Sequence, residues 1–342
     1  MRFAIVTEAW EPQVNGVVRT YQNIIGELEK AGHEVMVIGP QDFTVNFPMP
    51  TYKEIRLVLP LPGEIGRKLR EFKPDHIHIA TEGPMGWVAR AYCKKNDVKF
   101  TTAYHTNFAD YITERLPFKG ELSRKFHKAA NGVISRFHNA SHALMSVSDE
   151  IDQQVREMGV TAPVKRLTRG VDTDVFHPGV QKLFTDQPLP VALYVGRVAI
   201  EKNIKAFLDL DISYYKVVVG GGPQLEALKA QYPDVHFAGL KEKEELAEHY
   251  RAADVFVFPS KTDTFGIVLI EALASGLPIA AYDQGGHTAI ISDPRFGAVA
   301  PDLKTAFDKA VSGPGTPQQR HDYIRDRYSW AEVAQQFVDN SL

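Results

Sequence analysis

Short apolar runs rich in β-branched residues alternate along this chain with longer amphipathic stretches. The runs include Phe3–Thr7, Glu34–Ile38, His76–Ile79, Phe100–Ala103 and Ala143–Val147. Beyond Pro188 they continue with Ala192–Val195, Lys216–Val219, Val235–Phe237, Val255–Phe258 and Ile279–Ala281. Several show little polar alternation, which predicts strands covered on both faces. Stretches such as Thr20–Ala31, Ser148–Met158 and Lys243–Ala252 carry a helical period, so the repeating unit is β-α-β.

The pattern restarts near residue 190, after a Gly- and Pro-punctuated segment, Arg169 to Gly179, that reads as a connection between domains. The predicted organisation is α/β. One Rossmann-like domain spans 1–170, a second spans 171–316, and a C-terminal helical segment, 317–342, returns to the first. Ligands of doubly wound sheets sit beyond the carboxyl ends of the strands, so two such domains facing each other imply an interdomain cleft. A length of 342 residues suits two domains.

Charge and cysteine content narrow the classes. The net charge of -3 speaks against general nucleic-acid binding. Residues 1–170 carry a net +4 and the remainder -7, so the first half could face an anionic surface, or be ordinary solvated surface. The single cysteine, Cys93, forbids an internal disulfide and fits a reducing compartment. Neither a signal peptide nor a spanning segment is apparent, which predicts a cytoplasmic protein, peripheral to the inner face of the membrane at most.

Candidate chemistry lies where strands end. Gly16 precedes a helix, and a glycine there lets an anion approach the exposed N–H groups of the first turn, or simply makes the turn. After Val195, Gly196-Arg197 and Lys202 place a planar guanidinium fork and a point charge at a strand exit. That pair suits a diphosphate, although a solvated basic loop would look the same. Gly220-Gly221-Gly222 follows the next strand and permits close backbone approach, as would a plain turn. The most informative segment is Pro259-Ser260-Lys261-Thr262-Asp263-Thr264-Phe265-Gly266 followed by Ile267-Val268-Leu269-Ile270-Glu271. Asp263 could reach a sugar hydroxyl and Glu271 a ribose diol, with Gly266 exposing N–H groups between them. The plainer alternative makes Asp263 a helix cap and Glu271 a surface acid.

These stretches, in order, resemble the retaining GT-B glycosyltransferases of family 4. The match is carried by Pro12-Gln13-Val14-Asn15-Gly16-Val17, Tyr104-His105-Thr106-Asn107-Phe108, Arg169-Gly170-Val171-Asp172, Gly196-Arg197 with Lys202-Asn203, the Asp263 to Glu271 segment and Tyr328-Ser329-Trp330. The family usually places Glu where this chain has Asp263, a variant that resembles a subset including glycolipid synthases and mannosyltransferases.

The resemblance implies roles for individual residues. Gly16 and Val17 would face the donor phosphate, Arg197 and Lys202 would neutralise the diphosphate, and Glu271 would hold the ribose. Asp263 and the amides of Phe265, Gly266 and Ile267 would hold the transferred sugar. Gly221, Gly222 and Leu240 would complete the donor site near the base. His105 would stand near the reacting carbon, and Tyr104, Asn107, Asp110 and Tyr111 around it become acceptor candidates. The implied activity moves a glucose-, glucuronate- or mannose-type hexose from a UDP- or GDP-linked donor, with retention of configuration, chiefly by positioning and charge stabilisation.

Asp172-Thr173-Asp174 resembles a metal-binding Asp-x-Asp, but it lies in the connection between domains. With two cations available for the phosphates, no metal or other cofactor is expected. Two basic amphipathic stretches, 62–73 with Ile65, Leu69 and Phe72, and 119–137 with Leu122, Phe126, Val133 and Phe137, could lie on an anionic membrane or pack as core helices. Together with the glycolipid-synthase resemblance they favour a lipid acceptor such as diacylglycerol. A soluble acceptor, a nucleotide-sugar epimerase and a non-catalytic sugar-nucleotide-binding protein are the rivals. A dehydrogenase is disfavoured because the first turn lacks G-x-G-x-x-G spacing.

Overall fold

The computed structural model describes residues 1–11, 16–43, 46–49, 52–58, 63–104, 121–261, 263, 265–284 and 286–342, with 46–49, 52–57, 121–126 and 286 described by backbone alone. The chain divides into two compact units, Met1–Arg169 with Val333–Leu342, and Gly170–Glu332.

In the first unit, β1 (Arg2–Val6) and β2 (Glu34–Ile38) are followed by an antiparallel pair, β3 (Asn46–Met49) and β4 (Tyr52–Val58), and then by β5 (His76–Ile79), β6 (Phe100–Ala103), β7 (Ala143–Ser146) and β8 (Val164–Arg166). Six of these strands form a sheet in the order β2-β1-β5-β6-β7-β8, every pairing parallel. Its core gathers Ala4, Val6, Ile38, Ile77, Ile79, Met85, Ala89, Phe100 and Phe137. Helix α1 (Gly16–Lys30) buries Val18, Tyr21, Ile24 and Leu28, one apolar stripe at helical spacing.

A polar network lies inside this unit. The Tyr21 hydroxyl meets His78 Nε2 at 2.7 Å, and Thr101 Oγ1 lies 2.9 Å from His78 Nδ1 and 2.8 Å from His76 Nε2. All four side chains are buried, so these bonds meet the polar valences that burial would otherwise leave open.

In the second unit, β9 (Val191–Val195), β10 (Tyr215–Val219), β11 (His236–Gly239), β12 (Val255–Phe258), β13 (Ile279–Tyr282) and β14 (Gly297–Ala300) form a parallel sheet in the order β11-β10-β9-β12-β13-β14. That is the doubly wound Rossmann arrangement, in which connections run one way from the first strand and then the other. The direction reverses between β9 and β12, opening a crevice beyond their carboxyl ends.

Helix α2 (Glu64–Phe72) buries Ile65 and Leu69 in the first core, and α4 (Glu121–His138) buries Phe137. Those three residues face protein, which removes them from the lipid-facing role considered for the two basic stretches. Leu122 and Phe126 have side chains outside the described set, while Val133 is exposed. Among the described residues no helix is long and apolar enough to cross a membrane.

The C-terminal segment forms two helices, α11 (Pro317–Tyr328) and α12 (Trp330–Ser341). The sequence assigned all of it to the first domain, yet α11 belongs to the second unit and only Val333–Leu342 joins the first. The reason is local. Buried Arg320 on α11 donates to the carbonyls of Gly276, Arg295 and Gly315 at 2.8–3.0 Å, and Ala274 O lies 2.7 Å from His321 Nδ1.

Candidate functional site

The crevice of the second sheet is built from the β9 and β12 exits. Val195 ends β9, Gly196 and Arg197 follow, and a short turn carries Lys202 to Asn203, which adopts a left-handed conformation at φ 51°. Asparagine tolerates that region better than most residues. Its side-chain amide donates to the carbonyl of Pro259 at 3.1 Å, joining the β9 exit to the β12 exit. The joint brings Lys202 Nζ onto a carboxylate oxygen of Asp263, an ion pair that the sequence did not announce. Both side chains are partly buried, so water screens the pair less than it would at the surface.

Asp263 therefore does not cap the following helix. The N-cap of α9 (Ile267–Ala274) is Gly266, at φ 80°, and no side chain caps it. Glycine is required twice over at Gly266, by its left-handed backbone and by the side chains of Leu269 and Phe258, 3.0 and 3.2 Å from where a Cβ would stand. Phe265 is buried, its ring 5.9 Å from that of Tyr328.

Glu271 lies on α9 among buried Leu269, Ile270, Ala272, Leu273 and Ala274. It is only partly exposed, so the plain surface acid is ruled out. Its Oε2 accepts a hydrogen bond from the buried hydroxyl of Tyr250 at 2.9 Å. Tyr250 sits on α8 (Lys243–Arg251), and burial, then the Glu271 charge, pushes its pKa well above the usual phenol value.

Arg197 stands apart from this pair. Its guanidinium is 65% exposed and lies 3.4 Å from Glu201. The Arg197 carbonyl accepts from the buried Tyr194 hydroxyl at 2.9 Å, so the backbone is fixed while the side chain reaches into solvent.

The glycine run is explained by packing. A Cβ on Gly220 would fall 1.9 Å from the carbonyl oxygen of Gly196, and one on Gly222 would fall 2.4 Å from that of Val198. The β10 exit thus lies directly on the β9 exit, a requirement independent of any ligand. Leu240 covers Gly221 with its side chain 3.1 Å from a notional Cβ, yet remains 81% exposed beyond the end of β11.

In the first unit, Gly16 opens α1, and a Cβ there would meet nothing within 4 Å. Packing among the described residues therefore does not demand glycine at this position. Tyr104 is only 2% exposed, with its hydroxyl 3.6 Å from the Met158 sulfur. Its side chain is buried, at the carboxyl end of β6. His105, Asn107, Asp110 and Tyr111 lie outside the described residues.

Asp172, in the Asp-x-Asp look-alike, is engaged locally. It accepts from the Asp174 amide at 3.2 Å and pairs with Lys243 at 2.9 Å. Gly170 has a packing reason for its place in the motif, because a Cβ would stand 2.4 Å from the Trp330 ring. Val171 also pairs with Ser329, so two of the recognised motifs meet each other.

Tyr250 and Arg320 were missed by sequence reading. Tyr250 resembles a core aromatic in an amphipathic helix, and its hydroxyl partner lies 21 residues on. Arg320 sits in a polar stretch that reads as a solvated helix face, and no spacing signal marks it.

The family model for Glycosyltransferase Family 4 matches residues 14–175, and that for Glycosyl transferases group 1 matches residues 180–326. A sulfoquinovosyl transferase of Arabidopsis thaliana is 31% identical over 311 residues, which cover 83% of this chain and 60% of that protein. An alpha-monoglucosyldiacylglycerol synthase of Acholeplasma laidlawii is 26% identical, with 87% of this chain and 84% of the synthase covered. Among solved structures, sucrose-phosphate synthase from Thermosynechococcus elongatus superposes with a TM-score of 0.72 at 19% identity, covering 99% of this chain and 98% of that one.

Proposed function

From the family 4 glycosyltransferases of the GT-B fold, to which this chain belongs, we propose that it is a hexosyltransferase using a UDP- or GDP-linked glucose-, glucuronate- or mannose-type donor. The acceptor in this reading is a hydroxyl of a membrane lipid such as diacylglycerol, and the anomeric configuration is retained. The observation that carries it is the meeting of Lys202 with Asp263 at the sheet's reversal point, one helix turn-and-loop away from Glu271. A cation for phosphate, an acid for a sugar hydroxyl and an acid for a ribose stand on three adjoining pieces of one crevice.

The chemistry follows from that placement. Asp263 pairs with Lys202. A donor diphosphate competes for the lysine, and Asp263 is released to accept from a sugar hydroxyl. As the glycosidic bond breaks, charge grows on the diphosphate, and Lys202 stabilises it more than it stabilises the bound donor. The exposed Arg197–Glu201 pair holds its arginine weakly, so the guanidinium can turn to the same phosphates. The lipid acceptor is supported by the relative named as an alpha-monoglucosyldiacylglycerol synthase.

Turnover with UDP-, GDP- and ADP-sugars, in the presence of diacylglycerol vesicles, tests the reading. Nuclear magnetic resonance of the product assigns the anomer. Lys202→Ala should cut turnover by about 10²–10³-fold with the fold intact, as removal of a transition-state donor does elsewhere. Near-normal turnover would remove Lys202 from the mechanism, and release of an epimerised donor without any glycolipid would make the protein an epimerase instead.

A further inference from the structure

We propose that Asn203 is a positioning residue that sets the spacing of the β9 and β12 exits and so holds Lys202 where the donor diphosphate gains charge. The inference rests on the assignment of Lys202 to that diphosphate. The paired register of β9 and β12 ends at Leu193 and Phe256, although the strands run on to Val195 and Phe258. Past that point β9 pairs with β10, and β12 with β13, so the ladder itself does not fix the spacing of the two exits. Among the described residues two bonds bridge them, that of the Asn203 side-chain amide to the Pro259 carbonyl at 3.1 Å and the Lys202–Asp263 ion pair. A donor that draws Lys202 onto its phosphates gives up the second, which leaves the Asn203 bond as the tie across the crevice.

Both ends of that tie are anchored. The Asn203 N–H donates to the Ile200 carbonyl at 3.0 Å, closing the turn that carries Lys202, and the Asn203 carbonyl accepts from Ala206 at 3.0 Å to start the short helix Ile204–Leu208. That helix buries Ile204, Phe207 and Leu208 in the core of the second unit. On the other side, Phe258 and Ser260 are buried to either side of Pro259. The position of Pro259 is thus passed through one bond to the residue next to Lys202. A φ of 51° is costly for most side chains and easy for glycine. Asparagine tolerates it and adds a donor that glycine lacks, and that donor is spent on the opposite strand exit.

Steady-state turnover of the full chain separates this role from a structural one. The donors are UDP-glucose, UDP-glucuronate and GDP-mannose, with diacylglycerol vesicles as acceptor. Asn203→Gly keeps the left-handed turn and removes the bond. With the donor that wild type uses, it should lower kcat about tenfold and change KM less than about twofold, because a small displacement of Lys202 matters most where charge develops. In a Lys202→Ala background the same substitution should alter kcat less than about twofold, while its effect on the denaturant midpoint should be equal in both backgrounds. Asn203→Asp also tolerates the turn but turns an acceptor towards the Pro259 carbonyl, and should do no better than Asn203→Gly. Wild-type kcat in either variant, or a tenfold loss that persists without Lys202, would overturn the role of Asn203. Near-normal turnover by Lys202→Ala alone would instead remove Lys202 from the diphosphate, and Asn203's role with it. If wild type turns over none of these donors, the donor reading itself fails.

Discussion

Glu8 stands at the carboxyl end of β1, wholly buried, where its carboxyl group accepts from the Thr81 hydroxyl and from the Met85 amide at 2.6 Å. Burial outweighs those bonds and pushes its pKa up to about 7. The folded protein therefore holds a proton on Glu8 that the unfolded chain releases near pH 4.5. Its stabilising contribution is full at low pH and is lost as the pH rises through 7. His76 works the other way. Burial lowers it from 6.5 to about 4, so the folded protein loses stability as the pH falls through that window. Glu8→Gln mimics the protonated acid and isolates one of these opposing effects. Relative to wild type it should gain about 3 kcal/mol between pH 4.5 and pH 8, by denaturant titration at each pH. A constant difference across that range would mean that Glu8 is charged throughout. These perturbed groups were not apparent in the sequence, where Glu8 follows an ordinary strand. Lys202 and Asp263 were legible because their chemistry is carried by residue type and by strand exits. A hydroxyl such as that of Tyr250 acquires meaning only from a partner supplied by another helix.

Elements with a strong period were read correctly, and the exceptions share a cause. The ten apolar runs all became strands, whereas β8 and β14 went unpredicted, together with the β3–β4 pair. Both β8 and β14 are edge strands of three or four residues, half-exposed, and such a strand needs little hydrophobicity to pair along one side. The helix start at Asp149 was read within a residue, where Ser148 caps it through Ile151 N at 3.4 Å. Helix α11 begins with a reciprocal capping box between Thr316 and Gln319, with Pro317 at the first position. Its Arg320 supplies donors to the chain just beyond α9, and His321 lies against the last residue of that helix. The pose of α9, and so of Glu271, depends on α11. Arg320→Ala takes the donor from the buried Gly276 carbonyl and from the partly buried carbonyls of Arg295 and Gly315, and should cost about 2–3 kcal/mol, seen as a lowered denaturant midpoint. A change under about 0.5 kcal/mol would show that water replaces the guanidinium without loss.

On the scale of the molecule, the division into two Rossmann-like units was legible from the restart of the pattern near residue 190, but the path of the chain was not. The first unit is discontinuous, because its core closes only with Val333–Leu342. Val333, Ala334 and Phe337 are buried, and the Phe337 ring lies 5.7 Å from Phe3 and 5.0 Å from His78. Gln336 Oε1 accepts from the Thr168 amide at 3.0 Å, and Asn340 donates to the Arg166 carbonyl at 2.7 Å. Truncation after Glu332 should therefore destabilise the first unit by more than about 4 kcal/mol, since a lone buried Phe replaced by Ala costs 3–5. Limited proteolysis with mass spectrometry should then cut within 1–169 while 170–332 persists. Equal resistance of both units would show that the last ten residues are dispensable.

That discontinuity bears on synthesis. A ribosome makes residues 1–169 before the second unit, yet the aromatic side chain that seals them, Phe337, is encoded after it. The earliest-made half must wait, incompletely closed, while the later half is translated and collapses on its own continuous stretch. Nascent chains stalled before codon 333 should hence expose His78 and Phe3 to chaperones, and emergence of α12 from the exit tunnel is the event that completes the first unit's core.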